Sequence, residues 1–109
     1  MEAPEPFIVT LDRVEYDLGS SEALQALLEP AHERANVIID LSAVKYLDSA
    51  SIEKLSRVRR ERARKGMRPA KLVIESAQVR RLFEILKFDR LWAIFTTLDE
   101  ALREARRPD

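Results

Sequence analysis

Two short, wholly apolar runs, Val37-Ile38-Ile39 and Leu72-Val73-Ile74, constrain the fold of this chain more than any other feature. Each is followed by a turn and then by apolar residues at helical spacing. Strands that lack polar alternation are buried on both faces, the habit of parallel strands covered by helices. Alternating strand and helix patterns therefore predict an α/β domain with a small parallel sheet.

The remaining elements fall around these two. Residues 1–6 carry two prolines and are expected to form a flexible lead-in, leaving 7–107 as the domain. Phe7–Leu11 is rich in β-branched and aromatic residues and reads as a strand. Val14 to Leu18 either continues it or forms a second strand. Gly19-Ser20-Ser21-Glu22 signals a turn and a helix start. Leu24, Leu27, Leu28 and Ala31 then share a helical face. Pro30 either kinks that helix or opens a separate turn. Asp48 or Ser49 caps the next helix, with Glu53 in its early turns. Ile52, Leu55 and Ala63 are expected to face inward from it and most of its arginines outward, and Gly66 ends it. Ser76 is expected to cap a third helix with Val79, Leu82, Phe83 and Leu86 inward. Trp92 to Phe95 reads as the last strand, with Trp92 and Phe95 in the core. Thr97 caps a final helix that ends near Arg107-Pro108.

Size and composition exclude several classes of function. The chain has 109 residues, 46% of them apolar, which suits one domain with a modest core. There is no cysteine, hence no disulfide and no thiolate metal site. The single histidine, His32, has no partner at ligand spacing and reads as a solvated helix residue. With only Gly19 and Gly66, no glycine-rich phosphate loop exists. No nucleophile–base set stands out, so neither enzyme activity nor a cofactor nor a metal is expected. No apolar run approaches the roughly 20 residues of a membrane span. The acidic start lacks the features of a signal peptide, so a cytoplasmic location is expected.

The net charge of zero hides a segregation of sign. Residues 1–53 hold 11 acidic and 3 basic side chains, a net −8. Residues 54–71 hold 9 basic side chains against Glu61 alone, a net +8. Such a basic run is ordinarily a solvated helix face. Without interleaved aromatics, and with a whole-chain pI near 6.6, it does not read as a nucleic-acid site. An acidic protein partner ranks above nucleic acid and membrane for Arg57, Arg60 and Arg64.

The segment Asp40-Leu-Ser-Ala-Val-Lys-Tyr-Leu-Asp-Ser-Ala-Ser-Ile52 resembles the central pattern of the STAS domain family, the bacterial anti-sigma factor antagonists and their relatives. Glu15-Tyr-Asp-Leu18 is similar to the acidic segment before the family's first helix. Lys71 to Leu86 looks like its strand, loop and third helix, and Leu91–Phe95 with Leu98–Leu102 like its last strand and helix. The resemblance implies a STAS-like single domain, a small mostly parallel mixed sheet with helices mainly on one face. It also implies a protein that works by binding an anti-sigma factor or serine kinase, or another STAS-binding protein.

From local sequence alone, Asp48 and Ser49 are simply a helix cap. The resemblance assigns Ser49 a larger part, because the hydroxyl directly after this aspartate is the family's phosphoacceptor. Asp17, Asp48, Ala50 and Ser51 are then the expected partner-binding surface beside it. Ala50 stands where the family often has Ser or Thr. Ser51 stands where it has Gly, and would add a hydroxymethyl group to that surface and a second, less favoured acceptor. Asp40 reads as a turn former. The expected function is a phosphorylation-switched anti-sigma factor antagonist. The alternative is a structural STAS subunit of a larger assembly, such as an ABC-type lipid transport complex or a stress-signalling scaffold.

Overall fold

The structure is a computed structural model that describes residues 3–108. Its strands are β1 (Phe7–Thr10), β2 (Glu15–Tyr16), β3 (Val37–Asp40), β4 (Tyr46–Leu47), β5 (Lys71–Val73) and β6 (Ala93–Phe95). Its α-helices are α1 (Ser21–Leu28), α2 (Ser49–Arg64), α3 (Ala77–Ile85) and α4 (Leu98–Ala105). Four strands form a sheet in the order β1-β3-β5-β6, with Ile38 level with Ile8 and Lys71, and Val73 level with Phe95. β2 and β4 make a separate two-stranded ribbon, pairing Tyr16 with Leu47. All these pairings among the described residues are parallel. The stretch after Val14 is thus a second strand and does not continue β1.

Side-chain alternation divides the sheet into two faces. Val9, Val37, Ile39, Leu72 and Ile74 point into the main core, which α1, α2 and α3 close with Leu24, Leu28, Leu55, Val58, Val79 and Phe83. Ile38 and Val73 point the other way and meet Ala101 and Ala105 of α4 in a smaller core. Three helices thus lie on one face and one on the other. Trp92 is buried in the main core just before β6, while Phe95 is half-buried against the small one.

Local chemistry sets the helix ends. Pro30 does not kink α1; it opens a separate 3-10 turn over Glu29–His32, where its missing N–H costs nothing. Asp48 caps α2 by accepting from the Ser51 N–H at 2.8 Å, which leaves Ser49 as the first residue inside the helix. Gly66 adopts φ 70° and its N–H returns to the Ala63 carbonyl, a left-handed stop that glycine makes without strain. Ser76 and Thr97 cap α3 and α4 as expected.

Two expected inward positions are corrected. Leu86 is exposed, because α3 has ended and the chain turns at Lys87, whose φ is 61°. Ala63 faces water, and the inward position of the last turn of α2 belongs to Arg62, which is fully buried. The Asn36 side-chain amide donates to the carbonyls of Pro4 and Ala105, each at 2.7 Å. Met1 and Glu2 lie outside the described residues.

Candidate functional site at the start of the second helix

The β2–β4 ribbon aims the start of α2. Pairing of Tyr16 with Leu47 brings Asp17 alongside Asp48. The Tyr16 carbonyl then accepts from two groups of the α2 start, the Asp48 N–H at 3.1 Å and the Ser51 hydroxyl at 3.2 Å. Asp17 is tied in turn by a reciprocal cap: its N–H donates to the Ser20 hydroxyl at 2.8 Å and its carboxylate accepts from Gly19 N–H at 2.9 Å. These bonds fix three neighbouring residues, Asp17, Asp48 and Ser49, on one outward corner.

Ser49 is exposed and follows the capping carboxylate. Its hydroxyl lies at the positive end of a 16-residue helix, where the first N–H groups lack intrahelical partners. Ala50 is half-buried. Ser51 overturns its expectation. It is buried, only 2% exposed, and its hydroxyl points inward onto Tyr16. It therefore adds nothing to the outer surface, and a phosphate could not reach it without breaking the α2–β2 junction. The cause is helical geometry: two residues beyond Ser49, a side chain lies on the opposite side of the helix.

Arg57, Arg60 and Arg64 are all exposed. They lie 8, 11 and 15 residues after Ser49, or about 12, 16 and 22 Å along the axis. At about 100° per residue they fall within roughly 80° of Ser49 around it. Ser49 and the three arginines therefore share one face of α2 without sharing one spot. Arg60 pairs with Glu53 and Arg64 with Glu61, both at 2.6 Å. The paired guanidinium holds each glutamate's pKa below its usual value.

Arg62 is the residue that sequence reasoning missed. Its five N–H bonds go to main-chain carbonyls: Nε and Nη2 to Arg68, Nη1 to Ala31 and Arg34, Nη2 also to Ala35. It clamps the turn after α1 to the loop before β5. Its spacing, seven after Leu55 and four after Val58, is the signal that places it inward; the surrounding charges concealed it. Asp40 is the turn former expected: its carboxylate accepts from the Ser42 N–H at 3.0 Å and from the Ser42 hydroxyl. His32 is half-buried in the 3-10 turn.

Residues 2–101 match the family description "STAS domain". The chain belongs to the STAS domain family. Solved structures agree on the fold. An anti-sigma factor antagonist from Mycobacterium paratuberculosis superposes with a TM-score of 0.79 at 22% identity, over 98% of this chain and 92% of that one. A putative anti-sigma factor antagonist from Thermotoga maritima gives 0.73 at 19% identity, over 92% and 88%. A sulfate transporter family protein from Wolinella succinogenes gives 0.70 at 17% identity, over 94% and 87%. No curated protein matches the chain significantly in sequence. Among the described residues, no helix of this STAS domain is long and apolar enough to cross a membrane.

Proposed function

We propose that this STAS domain is a phosphorylation-switched anti-sigma factor antagonist. Its unphosphorylated form binds an anti-sigma factor or serine kinase, and phosphate on Ser49 ends that binding. The observation that carries the reading is the exposed Ser49 hydroxyl, directly after the capping Asp48, at the position the family phosphorylates. The physical logic is local. A phosphate adds about −1.5 to −2 charge to a corner that already holds Asp17 and Asp48. The helix end tolerates that anion while an acidic or apolar partner surface does not. The chain itself carries out no reaction in this scheme: a kinase brings the phosphate and a phosphatase removes it, in the cytoplasm.

Incubation with the cognate kinase and ATP, followed by mass-spectrometric mapping, tests the assignment. Phosphate on Ser49 is expected. Phosphate confined to another residue, Ser42 for example, overturns it. A second reading is favoured by the likeness to a sulfate transporter family protein: a structural STAS subunit of a larger assembly, in which Ser49 is not modified. Capture of partners from the native cell with wild type and Ser49→Asp separates the two. The switch requires the substitution to release the partner; the structural reading leaves it bound.

A further inference from the structure

A groove runs between β4 and α3, beside the segment that leads into Asp48 and Ser49. Its volume is about 420 Å³, toward the small end of the ~300–1,000 Å³ of binding clefts. Leu47 and Val79 form its buried floor. Tyr46 and Ile85 stand on its walls, 52% and 64% exposed. These are large apolar surfaces left in water beside one another, the kind that marks an interaction site. Lys45 and Arg81 supply the charges at its lining, and no acidic residue lines it.

We propose that this groove docks an apolar, acid-flanked segment of a partner protein, a short stretch that inserts two large apolar side chains. The occupant follows from size and charge. The groove has room for a few side chains rather than a whole element. Its cationic rim selects carboxylates over amines, since like charges brought together at an interface cost several kcal/mol. The same charges oppose a second copy of this chain, because a two-fold pairing centred here sets Lys45 and Arg81 against their own counterparts. The proposal deepens the reading of the α2 start as a protein-binding corner and rests on it for the partner being a protein. Tyr46 and Leu47 lead directly into Asp48 and Ser49, so a phosphate on Ser49 would also repel the acidic flank.

Selection of a displayed random-peptide library against the intact protein tests the groove without knowledge of the natural partner. Wild type is expected to enrich peptides with two large apolar residues and flanking Asp or Glu. Ile85→Asp is expected to weaken the enriched peptides by about tenfold or more, the scale of losing a central apolar anchor. Arg81→Glu is expected to weaken them severalfold and to flatten their salt dependence. Both positions are exposed, and circular dichroism checks that the variants fold. Peptides without acidic flanks, or peptides indifferent to both substitutions, overturn the proposal. So does a wild-type dimer in analytical ultracentrifugation that Ile85→Asp dissolves, which makes a second copy the occupant. The outcomes remain separable from the switch: peptides can bind a protein whose Ser49 is never phosphorylated, and a phosphorylated Ser49 does not rescue a groove that selects nothing.

Discussion

Arg62 gives every guanidinium hydrogen to a main-chain carbonyl, whereas Arg57, Arg60 and Arg64 on the same helix face water. Burial lowers the Arg62 pKa from its usual value, but arginine stays charged in proteins, so the carbonyls must serve that charge. Arg62→Met is expected to leave them without donors and to cost about 2–4 kcal/mol in urea denaturation, a large part of the 5–15 kcal/mol that holds a small domain together. Tyr16 carries a second residue-scale prediction. Burial is the main cause that raises its phenol above the ordinary pKa of 10.0; Asp12 also raises it, while the Arg13 N–H opposes. A phenol with a raised folded pKa stabilises the fold below pH 10 and loses that contribution as pH climbs through the folded value. Tyr16→Phe should therefore flatten the stability curve above about pH 10, measured by thermal melting across alkaline buffers. Ser51 carries no sequence sign of burial, and the charge of Arg62 masks the spacing that places it inward. Each is polar, and each takes its partners from carbonyls remote in the chain.

At the scale of the element, α2 offers one outward face with the Ser49 hydroxyl at its start and cations along its length. The two ion pairs of this helix are exposed and contribute little. Replacing Arg57, Arg60 and Arg64 together with Gln is expected to leave the unfolding midpoint nearly unchanged. It is also expected to slow association with an acidic partner and flatten its response to salt, read by surface plasmon resonance at several salt concentrations. Unchanged rates would leave the stripe a solvated face. Ser49→Asp should shift the unfolding midpoint little, because the helix dipole favours an anion there; loss of the folded signal in circular dichroism would contradict this. The ends of α2, α3 and α4 were readable in advance because Asp48, Ser76, Thr97 and Gly66 act on main-chain groups within a few residues. The inward face was readable only where it was apolar. Spacing alone assigns the last inward position to Arg62, whereas side-chain polarity points to Ala63, which faces water.

For the molecule as a whole, the sheet separates a large core under three helices from a small one under α4. Parallel order was legible from the apolar runs of β3 and β5, since only a sheet covered on both faces can bury such strands. The ribbon of β2 and β4 was not, because its two-residue strands are too short to show alternation. The small core leaves little spare room: Ala101 and Ala105 are fully buried against Ile38 and Val73. Ala101→Leu should overfill it and cost about 1–3 kcal/mol, measured by urea unfolding. The Asn36 amide, bonded to both Pro4 and Ala105, has a consequence for how the domain can be carried. Asn36 immediately precedes β3, so it holds both ends of the fold at the sheet's amino edge. The α2 start lies at the carboxyl edge, because α2 must run back across the sheet to reach the first residue of β5. Entry and exit therefore sit side by side, facing away from Ser49. The domain can be spliced into a surface loop of a larger polypeptide, or have its ends rejoined and reopened elsewhere, while the Ser49 corner remains open to whatever comes to meet it.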